Sequence, residues 1–162
     1  MIIVGIDPGL KGAIAFIGKK KVKVIPVPTL KMTKTKNMLD ENGIRDYLYN
    51  YKTKIEHVFI EKAQAMPKQG GVSMFNYGTG WGILRGICCG LFLPYTLVHP
   101  KTWKKVICKD TPKSKEASII VAKRLWPKIN LLPTPRSKKD SDGLADAMCI
   151  GEYGRRLLAG KI

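Results

Sequence analysis

Apolar and polar residues run along this chain in blocks whose period changes several times, and the changes mark its elements. Residues 2–6 are an apolar, largely β-branched run that predicts a buried strand, closed by the carboxylate of Asp7. Pro8-Gly9 turns the chain, and a second apolar run over 12–17 follows at hairpin distance. From 21 to 27 basic and apolar positions alternate, Lys21 and Lys23 against Val22 and Val24, as in a half-exposed antiparallel strand. A three-stranded meander therefore opens the chain. Pro26, Pro28 and the stretch 31–37 read as a polar loop. Residues 38–51 then follow a helical period, with Leu39, Ile44, Tyr47, Leu48 and Tyr51 on the apolar side and Asn42-Gly43 blurring the start.

The next strand repeats the design of the first. Residues 55–61 are apolar and end on Glu61, so two strand ends each bear an acid. His57 lies on the same face as Glu61 but farther down the strand, and reads as an ordinary polar or packed histidine. A basic, glycine-ending loop over 62–71 leaves Glu61 directly, which is where substrate contacts gather. Its Met66 either folds back onto the core or meets bases. Residues 73–91 predict a helix with Gly78, Gly82 and Gly86 four apart, a costly pattern that lets another backbone approach, from the sheet or from a second subunit. Residues 93–99 form a further strand, followed by the basic segment 101–105 and by Lys109, Lys113 and Lys115 in a loop with Pro112. Residues 114–126 read as an amphipathic helix capped by Ser114, with Ile119, Ile120, Val121, Ala122 and Leu125 apolar. A Pro- and Lys-rich connection leads to a last helix from Asp142 through Tyr153.

Charge narrows the function. Twenty-nine Lys and Arg face twelve Asp and Glu, a formal +17, spread along the chain and not confined to a tail. Such a surface fits an extended polyanion, nucleic acid first and an anionic membrane surface second. The 162 residues fit a single domain, 1–162, with a substantial core. No apolar run approaches about eighteen residues, and no basic-then-apolar leader opens the chain, so neither a membrane span nor a signal peptide is expected. Cys88, Cys89, Cys108 and Cys149 lack paired metal-ligand spacing. The adjacent pair reads as small core residues in a reducing compartment, which points to the cytoplasm, or to a host cytoplasm for a virus-encoded protein.

Among so few acids, those at strand ends and on the last helix stand out. Asp142 and Asp146 are four apart and share a helix face. Asp142 has the alternative of a plain N-cap, whereas Asp146 lies within an otherwise apolar turn. Four carboxylates from three elements repel one another unless cations neutralise them, and hard oxygen ligands select Mg²⁺ or Mn²⁺. Two such ions about 4 Å apart activate water and stabilise the leaving oxygen of a phosphodiester. The surrounding lysines supply phosphate binding, with Lys62, Lys68, Gln69, Arg85, Lys101, Lys105 and Lys113 as the candidate DNA contacts. Metal-dependent phosphodiester hydrolysis follows.

Ile6-Asp7-Pro8-Gly9 with Gly12, Phe59-Ile60-Glu61-Lys62, Leu84-Arg85-Gly86 and Asp142-Gly143-Leu144-Ala145-Asp146-Ala147 together resemble, in order and separation, the RuvC-type Holliday-junction resolvases of the ribonuclease H-like superfamily. The resemblance covers nearly the whole chain. It implies an α/β fold with a mixed five-stranded sheet flanked by helices, and a homodimer nicking four-way DNA junctions symmetrically in recombination, repair or viral genome processing. It implies a catalytic, metal-binding tetrad of Asp7, Glu61, Asp142 and Asp146 holding two Mg²⁺, with Lys104 and Lys115 as further catalytic residues. The last two acids are four apart, as in phage-like and chloroplast resolvases, where bacterial members space them three apart; Asp140 is the rival of Asp142. Three alternatives stand beside it. One is a non-catalytic branched-DNA-binding protein, and another a related nuclease for forks, flaps or RNA. The third, an actin-like or sugar-kinase ATPase suggested by Asp7-Pro8-Gly9, needs two such domains and a second phosphate loop that the chain lacks.

Overall fold

The protein is described here by a computed structural model, which covers residues 1–34, 36–64 and 70–162. Strands β1 (Ile2–Asp7), β2 (Ala13–Ile17) and β3 (Val22–Pro26) form the expected antiparallel meander. A second hairpin, β4 (Thr29–Lys31) with β5 (Asn37–Leu39), precedes helix α1 (Glu41–Tyr51). Then come β6 (Ile55–Glu61), α2 (Gly71–Gly90), β7 (Tyr95–Val98), α3 (Pro100–Ile107), α4 (Ala117–Leu125) and α5 (Asp142–Leu158). The main sheet has the order β3-β2-β1-β6-β7, with β6 and β7 parallel to β1. It is the mixed five-stranded sheet flanked by helices that the resemblance implies.

Both faces of the sheet are covered, which is why β1, β2 and β6 read as near-continuous apolar runs. On one face Val4, Ile6, Ile14, Val58 and Ile60 meet Ile44 and Leu48 of α1 and Leu84 and Cys88 of α2. On the other, Ile3, Phe59 and Val98 pack with Trp103 of α3, Val121 of α4 and Ile150 of α5. Each large apolar side chain so buried contributes roughly 1.5–3 kcal/mol. Helix α5 is the most enclosed element: from Gly143 to Gly154 every residue except Asp146 is buried. It crosses β1 at glycine on glycine, because a β-carbon at Gly5 would stand 2.2 Å from the Ala147 carbonyl oxygen and 2.3 Å from the Gly151 nitrogen.

Several expectations need correction. Of the stretch 31–37, read as a loop, only the ends Lys31 and Asn37 are strand, closing β4 and opening β5, while 32–34 and 36 are connection between them; Met38 and Leu39 belong to β5 and not to the helix. Helix α1 begins later, at Glu41, because the Asp40 carboxylate caps it by accepting from the Gly43 N–H at 2.9 Å. Residues 101–105 form most of a helix, with His99 at its N-cap and Trp103 and Ile107 turned inward. Ser114 does not cap α4: its hydroxyl accepts from Glu116 N–H and its carbonyl from Ala117 N–H, closing a turn ahead of the helix. Helix α5 continues beyond Tyr153 to Leu158, stitched by buried Glu152 accepting from Arg155 and Arg156. Burial pushes the Glu152 pKa up, but the hydrogen bonds and charges of both arginines outweigh it and hold the group below its usual range. Cys89 is exposed while its neighbour Cys88 is buried, so only one of the pair is a core residue. The glycine stripe does not meet the sheet: β-carbons at Gly78, Gly82 and Gly86 would touch nothing within 4 Å.

Candidate functional site

Strands β1 and β6 are parallel neighbours with Ile6 beside Ile60, so Asp7 and Glu61 end at the same edge of the sheet. Helix α5 starts above that edge and brings its acids toward them. Ser141 is the N-cap, its hydroxyl accepting from Leu144 N–H at 3.3 Å, so Asp142 is free of the capping role. Asp142 is exposed and acts electrostatically on both Asp7 and Asp146. Its rival Asp140 is instead engaged by Lys123.

The acids feel one another. Burial, reinforced by the charges of Glu61, Asp146 and Asp142, pushes Asp7 from 3.8 to about 7 against a weak opposing contact from Gly9 N–H. Burial likewise raises Glu61, with Asp146 adding to the effect and Trp103 and Lys104 opposing it. Asp146 is raised by burial and by Asp142, and is opposed by Ser118 and Lys104. Tyr77 of α2 faces the same cluster, its phenol pushed up to about 12 by burial and then by Glu61 and Asp7.

Three side chains touch these carboxylates and a fourth holds the Glu61 backbone, and of the four the sequence singled out only Lys104. The Trp103 indole N–H donates to Glu61 Oε2 at 2.7 Å, and the Trp81 indole N–H donates to the Glu61 carbonyl at 3.1 Å. The buried Ser118 hydroxyl donates to Asp146 Oδ1. Lys104 stands 3.8 Å from Asp146 Oδ2 and 5.0 Å from the centre of the Trp103 ring. A signal was present for two of the missed residues. Ser118 is a polar residue on the buried stripe Ser118, Val121, Ala122, and Trp103 is spaced four from Ile107.

The chain adopts the fold of known resolvases. Over 99% of this chain and 97% of the other, it superposes on Thermus thermophilus RuvC in complex with a Holliday junction substrate, with a TM-score of 0.67 at 16% identity. A second T. thermophilus RuvC structure gives 0.65 at 18% identity, covering 99% of this chain and 98% of that one. The yeast mitochondrial Holliday junction resolvase gives 0.52 at 16% identity, over 97% of this chain and 78% of that chain. The fold is the RuvC fold. No family model and no curated protein sequence matches the chain.

Around this RuvC-like edge the predicted lysines divide. Lys104, Lys113 and Lys115 line a cleft of about 1140 Å³ that also reaches Ser118, and so opens beside Asp146. Lys101 and Lys105 border that cleft and a second one, of about 700 Å³, on the far side of α3 with Arg156 and Lys161. Lys62 is exposed next to Glu61, its N–H bonded to the Val98 carbonyl. Arg85 is half-buried, with its guanidinium over the Trp81 ring at 4.5 Å. Lys68, Gln69 and Met66 lie outside the described residues. His57 bonds Thr96 Oγ1 at 2.8 Å, away from the acids, and serves packing.

The chemistry of the donor set suits hard divalent cations, since a raised carboxylate cluster beside lysines lacks only a charge to neutralise it. Among the described residues, however, no three Asp, Glu, His or Cys side chains already converge as a ligand group. A cation bound at this edge would require the carboxylates to draw together. The raised pKa of Asp7 gives this a stability signature. Between pH 3.8 and about 7 the folded chain retains a proton on Asp7 that the unfolded chain releases, so the contribution of this group to metal-free stability is fullest at the acid end and is lost as pH rises through about 7. At pH 8 in EDTA, Asp7→Asn is expected to melt higher than wild type by the equivalent of roughly 2–4 kcal/mol, and the two should converge toward pH 4. Differential scanning calorimetry at both pH values checks this. Wild type should also gain Tm with added Mg²⁺, and the variant far less.

Proposed function

We propose that this chain is a structure-specific endodeoxyribonuclease that cuts four-way DNA junctions by metal-dependent phosphodiester hydrolysis. One observation carries the reading: Asp7, Glu61, Asp142 and Asp146 are brought to one edge of a RuvC-type sheet, beside a cleft lined by lysines. Mg²⁺, two per site in this reading and replaceable by Mn²⁺, would be held by these four residues and would supply Lewis-acid activation of water and charge stabilisation at phosphorus. Trp103 keeps Glu61 Oε2 oriented, and Ser118 does the same for Asp146 Oδ1. Lys104 and Lys115 hold the scissile strand by its phosphates.

The reading includes a homodimer, since a junction offers two equivalent strands and a two-fold protein presents two sites to them. The open glycine face of α2, flanked by exposed Val72 and Phe75, supports close approach of a second copy. Recombination, repair or viral genome processing in the cytoplasm is the setting this activity serves. No helix among the described residues is long and apolar enough to cross a membrane.

The cleft lysines give a test beside the acids. Lys104→Ala and Lys115→Ala are each expected to slow junction cleavage about ten- to a hundredfold, and each anchoring lysine lost should shrink the salt slope of binding by about one. Cleavage of labelled junctions, with binding titrated across salt concentrations, measures both. Unchanged rate and slope would return that lysine to a solvated surface role.

A further inference from the structure

The β4–β5 ribbon is a feature that the nuclease site does not use. It is closed at its root by Val27 N–H to the Gly12 carbonyl and Asp40 N–H to the Pro28 carbonyl, and at its tip by Met32 N–H to the Lys36 carbonyl. Strand register fixes its two faces, since Thr29 lies opposite Leu39 and Leu30 opposite Met38. Leu39 turns into the core at 5% exposure. The other face carries Leu30, Met38 and Met32, exposed at 48%, 38% and 60%. Residues 29–39 hold three lysines, Lys31, Lys34 and Lys36, and no acid.

The ribbon is tied to the catalytic edge on both sides. Pro26, just before its root, pairs with Ala13, which pairs with Asp7. Leu39 packs in the cluster that includes Trp81, whose indole holds the Glu61 carbonyl. An apolar face with a basic border thus projects from the edge where the scissile strand would lie.

Resting on the reading of the chain as a junction nuclease, we propose that this ribbon is a separate branch-point contact. Its Leu30, Met32 and Met38 press on bases unstacked at the crossover, while Lys31, Lys34 and Lys36 hold the flanking phosphates. A branch point, unlike continuous duplex, presents open base faces that leucine and methionine side chains cover at small unstacking cost. Two-stranded ribbons are also of a size to enter a DNA groove. A second copy of this chain is the poorer occupant. It would bring like charge against three lysines, and three side chains fall short of the roughly 1,000 Å² a stable protein interface needs.

The test uses a four-way junction carrying 2-aminopurine at the branch point, in Ca²⁺ so that cutting does not interfere, with linear duplex as the reference. Wild type is expected to raise 2-aminopurine fluorescence on binding. Leu30→Ser/Met32→Ser/Met38→Ser should lose most of that rise, and its preference for junction over duplex should fall about tenfold with duplex affinity little changed. Lys31→Ala/Lys34→Ala/Lys36→Ala should lower the salt slope by about two to three. Met32→Ser alone, at the most exposed position, guards against a folding loss and should show a partial fluorescence effect. Unchanged fluorescence and preference in the serine variants would overturn the proposal. So would conversion of a sedimenting dimer to monomer by those changes, which would assign the ribbon to a second copy. Wild type binding junction no better than duplex would instead overturn the nuclease reading beneath it.

Discussion

Asp7→Asn is expected to bind four-way junctions with near wild-type affinity while cutting them at least about a thousandfold more slowly, and Glu61→Gln should behave alike. The two functions rest on different residues. In the proposed function, affinity comes from the lysines and arginines that leave the chain at a formal +17, and neither acid belongs to that set. Chemistry, in that same reading, falls to the carboxylates, Asp7 being pushed to about 7 by burial and its acidic neighbours. Replacing one with a neutral amide removes a ligand and relieves the repulsion that draws in a cation. Glu61 adds a positional argument, because its Oε2 is fixed by Trp103 at 2.7 Å. Gel-shift titration in Ca²⁺ and single-turnover cleavage in Mg²⁺ measure the two halves separately. Either variant cutting at wild-type rate would remove that residue from the catalytic set.

Gly5→Val is expected to cost roughly 3 kcal/mol or more, enough to leave the chain largely unfolded or the site disassembled. The added atoms would meet backbone, with Ala147 O at 2.2 Å and Gly151 N at 2.3 Å, so no side chain can move to make room. To accommodate them α5 must lift from β1. The same helix carries Asp142 and Asp146, so stability and catalysis should fail together. Gly82→Ala is the matched control for packing within one chain: it also adds a β-carbon to a glycine, but where the chain itself leaves open space, so the monomer should be unaffected or stabilised by about 1 kcal/mol through helix propensity, and any loss belongs to the second-copy contact proposed on that face. Denaturant titration followed by circular dichroism compares the two.

The meander, β6 and the helix bearing Asp142 and Asp146 were legible because their patterns are long and unbroken, and because an acid closing an apolar strand is conspicuous. The β4–β5 ribbon was not. Its strands span three residues each, too short for a period, and Met38 and Leu39 also fit the helical pattern of α1. Helix α3 was hidden by its charge, since four of its positions face solvent and only Trp103 and Ile107 are buried. The acids of the candidate site and Lys104 were nominated from the sequence, but the other side chains that hold the acids were not. Trp103 and Ser118 meet Glu61 and Asp146 across 42 and 28 residues of chain, and only tertiary packing of α3 against β6 and of α4 against α5 creates those contacts.

The central claim is tested most directly by incubating wild-type protein with an end-labelled, immobile four-way junction and resolving both strands of each opposing pair on a denaturing gel, in Mg²⁺ and in EDTA. The account predicts nicks at symmetrically related positions on two opposing strands in Mg²⁺, none in EDTA, and far less cutting of linear duplex of the same sequence. Equal cutting of duplex and junction, or binding with no cutting in Mg²⁺ or Mn²⁺, would contradict it.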